Sequence, residues 1–197
     1  DSFKDGWFHS GDIFEQKNEH YFILDRKKDI YKNSRGQTIA PQKIENLFQD
    51  FDLVKSVFLV GDGKEYNTVL IYPNKENNQF NISRIKDNEM HEVFSAMLIS
   101  VNGFLSPFER IINFCVIDRD FSIENNELTQ KGTYKRNNIL NNFESEIDLM
   151  YKKEYVSLHI EDKEVRIPNW LIREIGTIKS NIKWNGQEVL INDKNKL

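Results

Sequence analysis

The sequence predicts an α+β domain followed by a β-rich tail. Three observations carry that expectation. Apolar runs of strand length alternate with amphipathic helical segments between residues 28 and 150. Residues 151–197 show period-two alternation and a strong hairpin signal, Asn185-Gly186. A length of 197 residues suits one ordinary domain with an appendage. The 14 Phe, 7 Tyr and 3 Trp within a 39% hydrophobic composition are enough to build a core. The 27 basic and 31 acidic side chains nearly cancel, so net charge gives no argument for nucleic acid as a partner. A single cysteine, Cys115, excludes an internal disulfide framework and a cysteine-rich zinc site. No apolar run approaches the roughly 18 residues that would cross a bilayer. The first residue is Asp1 rather than Met, so the chain is expected to be part of a longer protein.

Residues 1–27 are expected to hold two strands around the polar turn Gln16-Lys17-Asn18-Glu19-His20. The second strand, Tyr21-Phe22-Ile23-Leu24, should stop at the charged run Asp25-Arg26-Lys27-Lys28-Asp29. A hairpin-like stretch leads to Ala40, and Pro41 opens a helix at its first turn. Ile44, Leu47, Phe48 and Phe51 share one apolar face of that helix, with Glu45 and Asp50 pointing elsewhere. Strands follow at Ser56–Val60 and Thr68–Tyr72, joined by a loop with two glycines. The polar cluster Asn74-Lys75-Glu76-Asn77-Asn78 reads as a solvated loop. A long helix carries Met90, Val93, Phe94, Met97, Leu98 and Val101 and closes at Gly103. Ser106-Pro107-Phe108-Glu109 has the form of a capping box but starts only a short turn, because Ile111–Ile117 reads as a buried strand. Ile139, Leu140, Phe143 and Ile147 mark a last helix. In the tail, Val156–Ile160 and Val165–Ile167 read as one hairpin, with Ile182–Trp184 and Glu188–Ile191 as another. Fewer than 50 residues bury too little surface to expect independent stability.

Several residues could carry chemistry, each with a plainer alternative. Asp12, after Gly11, either accepts hydrogen bonds from both vicinal hydroxyls of a ribose or caps its own turn. Arg26, beside Lys27 and Lys28, meets a phosphate or ribose, or belongs to a solvated linker. Gly36 allows close approach of a ligand to the backbone, or simply makes a turn. The loop Lys131-Gly132-Thr133-Tyr134-Lys135-Arg136 brings a lysine to a phosphate, or starts a helix with exposed charge. The histidines lack metal-ligand spacing, and no metal site is expected. Cys115 lies inside an apolar strand and reads as a small buried hydrophobe. No Walker loop, GxSxG or GxGxxG occurs.

Three strings, in this order, resemble the C-terminal part of AMP-forming acyl-CoA synthetases of the adenylate-forming superfamily. They are Asp5-Gly6-Trp7-Phe8-His9-Ser10-Gly11-Asp12, Asp25-Arg26-Lys27-Lys28-Asp29-Ile30-Tyr31-Lys32 and Gly36-Gln37-Thr38-Ile39-Ala40-Pro41-Gln42-Lys43-Ile44-Glu45. Val60-Gly61-Asp62-Gly63 and Leu128-Thr129 fit the same pattern, which covers residues 1–145. Asp25 before Arg26 and the Ile-Ala-Pro run are most similar to the long-chain fatty acyl subgroup.

The resemblance implies a small C-terminal lid domain at 28–150, made of a mixed sheet with flanking helices. Residues 1–27 would be the end of a missing N-terminal adenylation domain, and 151–197 an extension of unknown role. It implies a ligase that converts a fatty acid and ATP, with Mg²⁺, to acyl-AMP and passes the acyl group to coenzyme A. The isolated chain is expected to be inactive. Asp12 would hold the ribose hydroxyls of the nucleotide and Arg26 would contact the same nucleotide. Lys28 would sit at the hinge of the lid, and Gly36 on the loop lining the coenzyme A passage. The family places its adenylation lysine where this sequence has Thr133, so either the first half-reaction would be slow or a neighbouring lysine, Lys131 or Lys135, would substitute, Lys131 being favoured because Gly132 lets the loop re-aim. Arg35 also departs from the small residue or glutamine usual before the matching glycine. The resemblance further implies a cytoplasmic protein, with a membrane surface left open as a partner. Two other readings stand beside it: a non-catalytic binding module on the same fold, and an adenylating domain that loads a carrier protein.

Overall fold

The computed structural model describes residues 3–76 and 86–191. Asn77 and Asn78 of the polar cluster and residues 192–197 of the tail lie outside these. The chain opens with two hairpins, β1 (Phe3–Lys4) with β2 (Trp7–Phe8), and β3 (Asp12–Lys17) with β4 (His20–Arg26). β4 runs past the apolar residues into the charged run, because Asp25 is not a solvated charge. Its carboxylate is fully buried; Oδ1 accepts the amide of Arg26 and Oδ2 that of Gln42, each at 2.7 Å. Burial pushes the Asp25 carboxyl above its ordinary range.

β5 (Tyr31–Lys32) pairs with β6 (Thr38–Ile39), and α1 (Pro41–Glu45) follows, continued by a 3-10 turn at Asn46–Phe48. Ala40 at the N-cap has no side-chain oxygen, so Asp25 satisfies the free N–H of Gln42 from another strand. Ile44 and Phe48 are buried on the expected face, with Leu47 and Phe51 packed beside them.

The core is built on β7 (Val54–Val60), β8 (Asn67–Pro73) and β9 (Ile111–Val116), with α2 (Asp87–Asn102) between β8 and β9. β8 lies in the middle, antiparallel to β7 and parallel to β9. Val57, Leu59, Val69 and Ile71 pack with Phe94, Met97 and Leu98 of α2 and with Ile44 of α1. Phe58, Val60 and Leu70 face the opposite way. They meet Ile139 of α3 (Arg136–Asn142) and Ile147 and Met150 of α4 (Glu144–Tyr151). Both faces of the mixed sheet are covered by helices, which is why these strands read as continuous apolar runs. The single last helix expected from sequence is two helices, broken at Phe143 (φ −115°, ψ 25°). Gly103 does close α2, but with φ −64°, so no left-handed backbone is needed there.

After α4 come β10 (Tyr155–Ile160) with β11 (Lys163–Pro168), then α5 (Asn169–Ile175), and β12 (Ile182–Trp184) with β13 (Val189–Ile191). Both hairpins match the expectation, and α5 adds a helix to the tail that the sequence reads as β-rich. Leu158, Ile172 and Ile182 bury together with Tyr66 and Ile112, so the tail shares a core with the sheet. Arg173 of α5 donates to the carbonyl of Glu65 at 3.2 Å. The rings of Tyr66 and Tyr151 stack with centroids 4.9 Å apart. Among the described residues, no helix is long and apolar enough to cross a membrane.

Candidate functional site

Tyr134 and Arg136 stand between two neighbouring grooves on the α1–β7 side of the molecule. The first, about 360 Å³, is walled by Asp25, Asp29, Lys131, Gly132 and Thr133. The second, about 500 Å³, is walled by Lys28, Asp29, Asp62 and Lys135. The charged segment after β4 thus meets the basic loop before α3 on both sides of Tyr134, whose hydroxyl donates to the carbonyl of Val57 at 3.0 Å.

The basic loop is a closed turn. The amide of Thr129 donates to Thr133 O at 2.8 Å, that of Gly132 to Thr129 O at 2.9 Å, and that of Thr133 to Thr129 Oγ1 at 3.1 Å. Gly132 has φ +76°, a left-handed conformation that a β-carbon would disfavour. Lys131 is therefore displayed at the tip; it is exposed, and its Nζ has no hydrogen bond or ion pair among the described residues. Lys135 is half-buried and engaged: its amide donates to Glu127 O at 2.7 Å and its Nζ contacts Asn126 Oδ1.

Asp12 and Arg26 are opposite one another on β3 and β4, with Oδ1 and Nε 3.8 Å apart. They form a partly exposed pair and wall neither groove. Gly36, with φ +77°, lies in the turn between β5 and β6. Asn33 Oδ1 organises that turn by accepting the amides of Arg35 and Gln37, each at 3.0 Å. Arg35 reaches Glu65 at 3.2 Å. The structure brings Lys131 and Thr133 into one groove and Lys28 and Lys135 into the other, but leaves Gly36 apart from both.

Two residues that matter here were not singled out in the sequence. Glu45, expected to point away from the packed face of α1, is buried and ion-paired to Arg136 at 2.9 Å. Asn67 is also fully buried; its Oδ1 accepts the Tyr31 hydroxyl at 2.8 Å and its Nδ2 donates to Glu109 O at 2.9 Å. Among the described residues, no group of three His, Cys, Asp or Glu side chains could hold a metal ion.

A family model described as AMP-binding enzyme C-terminal domain matches residues 28–155. Long-chain-fatty-acid–CoA ligase 1 of Homo sapiens is 32% identical over 162 residues, covering 75% of this chain and 23% of that protein. Long chain acyl-CoA synthetase 1 of Arabidopsis thaliana is 30% identical, covering 76% of this chain and 25% of that protein. Fatty acyl-CoA synthetase B of Dictyostelium discoideum is 31% identical, with 78% and 25% covered. The chain spans about a quarter of the length of these relatives. Among solved structures, the adenylation domain of a carboxylate reductase from Mycobacterium chelonae superposes with a TM-score of 0.64 at 21% identity, covering 77% of this chain and 24% of that one. The A-PCP didomain of a carboxylic acid reductase from Segniliparus rugosus, in complex with AMP, gives 0.61 at 21% identity, with 76% and 21% covered. These two likenesses speak to the fold alone.

Proposed function

Because the chain belongs to the family of AMP-binding enzyme C-terminal domains, we propose that it is the lid of an AMP-forming ligase acting on long-chain fatty acids. The reaction has two halves. A carboxylate oxygen of the fatty acid attacks the α-phosphorus of MgATP, the bond to the β-phosphate oxygen breaks, and pyrophosphate leaves. The coenzyme A thiolate then attacks the acyl carbon, the bond to the adenylate oxygen breaks, and AMP leaves. Magnesium enters with the nucleotide substrate, and no residue of this chain is assigned to it.

The observation that carries this reading is the first groove, where the turn bearing Lys131 faces the segment Asp25–Asp29. A flexible ammonium at the tip of a closed turn can reach the charge that develops on the phosphate, in the way a preorganised donor does. Lys131 takes this role, because Lys135 is held by Asn126 and Thr133 carries no charge. Asp12 accepts the ribose hydroxyls and Arg26 contacts the same nucleotide, the cross-strand register presenting both from one site. Lys28, exposed between β4 and β5, is the hinge, and the turn at Gly36 lies along the coenzyme A passage.

The large remainder of the enzyme would cover the first two hairpins. Phe3, Trp7, Phe8, Tyr21 and Ile23 are each more than 60% exposed, five large apolar side chains left to water on the first two hairpins.

ATP–pyrophosphate exchange by the intact protein that carries this chain tests the reading. Lys131→Ala is expected to slow exchange about 10²–10³-fold, with Lys135→Ala much milder. No exchange by the wild type would favour a non-catalytic module. Slowing by Lys135→Ala alone would move the role to Lys135.

A further inference from the structure

Three lysines that have no carboxylate partner among the described residues meet in a pocket of about 410 Å³ between α4, β10 and the 3-10 turn Lys179–Asn181. Lys152 and Lys153 are exposed, whereas Lys179 is half-buried. An ammonium has three N–H donors. Lys179 directs one to the carbonyl of Lys153 at 2.6 Å and one to the hydroxyl of Tyr66 at 3.2 Å. The third has no oxygen or nitrogen acceptor among the described residues, and Nζ lies 5.0 Å from the centroid of the Tyr66 ring. Burial, with the charge of Lys153 adding to it, pushes the Lys179 ammonium down to about 8.

Apart from the Tyr155 hydroxyl, the other polar side chains of the wall are engaged inside the protein. The Ser157 hydroxyl donates to Glu164 at 2.7 Å, and the Ser180 hydroxyl pairs with that of Ser95 at 3.0 Å. The Asn113 amide donates to Met150 O at 3.0 Å, and its Oδ1 accepts the amide of Phe114 at 3.0 Å. Asp148 and Glu154, the acidic residues flanking this stretch of chain, make no ion pair with the three lysines among the described residues. What the three lysines offer a ligand is positive charge and N–H donors. Apart from the Tyr155 hydroxyl, the rest of the wall is apolar, with Leu149 67% exposed and Val156 half-buried.

We propose that this pocket binds a phosphate group carried on an apolar body, with Lys179, Lys152 and Lys153 as its cationic ligands. A phosphate dianion supplies an acceptor for the unused N–H of Lys179 and countercharge for the two exposed lysines. Leu149 and Val156 take the apolar part. None of the wall residues lines the two grooves described above, so the proposal stands independently of the adenylation reading. The same chemistry is offered by a soluble phosphate ester and by an anionic lipid headgroup.

Lysine-labelled NMR of the 197-residue chain, titrated with hexyl phosphate, tests it. Saturable binding is expected, with the Lys179 midpoint moving upward from about 8 as the dianion binds. Hexanol should leave that midpoint in place. Lys152→Gln with Lys153→Gln should weaken binding about tenfold or more, while keeping the Lys153 carbonyl that holds Lys179. A second arm sediments the chain with phosphatidylcholine vesicles, with and without phosphatidic acid. Sedimentation only with phosphatidic acid supports the site with a lipid as its source. Hexyl phosphate binding without sedimentation supports it with a soluble ester. No saturable binding in either arm, or binding unchanged in the double variant, overturns the proposal.

Discussion

Glu45 holds the guanidinium of Arg136 through both carboxylate oxygens, at 2.9 and 3.2 Å, across 91 residues of chain. The side chains are 8% and 14% exposed. Burial pushes the Glu45 carboxyl up, and the Arg136 charge works against that shift. The guanidinium also lies over the Phe58 ring, 4.2 Å from its centroid. Removing one partner leaves the other buried and unpaired, so Arg136→Met is expected to destabilise the chain by about 3–5 kcal/mol. Adding Glu45→Leu to it should cost less than the two single losses combined. Urea unfolding of the four proteins measures this, and strictly additive losses would show that the charges do not act as a pair.

Gly61 has no room for a side chain. A β-carbon there would lie 2.0 Å from Asn67 Oδ1 and 2.6 Å from the Tyr31 hydroxyl oxygen. Gly61→Ala should displace the buried amide of Asn67 and break its bond to Tyr31, at a cost of about 1–3 kcal/mol. Gly36→Ala meets nothing within 4 Å and is opposed only by its φ of +77°, so it should cost less. Thermal melts of both variants give the order; a larger loss at Gly36 would contradict it.

Acid should weaken the fold through Glu127. Burial alone would raise this carboxyl, but the hydrogen bonds from Arg119, Asn142 and the Ser122 amide together hold it below its ordinary 4.5. Arg119 contributes two of them, at 2.6 and 2.8 Å. The folded state then binds this proton less tightly than the unfolded chain does. The stabilisation is present above about pH 4.5 and is lost as pH falls through the lower folded value. Glu127→Gln should cost about 1–3 kcal/mol at pH 7 and flatten the acid loss. Urea midpoints at neutral and acid pH check this; an unchanged acid slope would assign it to other groups.

Among the described residues Thr133 enters its turn through its own N–H and C=O, which bond to the Thr129 hydroxyl and amide, so its side chain can be exchanged without opening the turn. In the intact protein, Thr133→Lys is expected to restore ATP–pyrophosphate exchange to the Lys131→Ala variant by about tenfold or more. No recovery would mean that the tip position, and not the charge alone, sets the rate.

The parts of the fold legible in the sequence are those whose signal is local. β7, β8 and β9 announce themselves by apolar runs buried on both faces, and the last hairpin by Asn185-Gly186, with Gly186 at φ +100°. The burial of Asp25 and of Glu45 is not legible in the sequence, because a charge carries no mark of a distant partner. The pairing of Asp12 with Arg26 is equally hidden: the tight turn at Asn18, φ +56°, sets the register as far as Phe14, and an irregularity between Ile13 and Phe14 then shifts it by one residue and brings Asp12 opposite Arg26. Asn169–Ile175 gave two usable signals, Pro168 before the helix and Gly176 at φ +85° after it, but its apolar residues fit a strand as well as a short helix.

Among the described residues β7 pairs with β8 on one side only, leaving a row of backbone groups turned outward. Three of them are taken by side chains: Val57 O by the Tyr134 hydroxyl, Leu59 N by Glu45, and Leu59 O by Arg136. These side chains stand where a further strand would otherwise add, and they protect an exposed sheet edge from templating its own aggregation. Losing Arg136 would therefore free a pairing site as well as loosen the core. The damage should appear as association that grows with protein concentration, under conditions where most molecules are still folded.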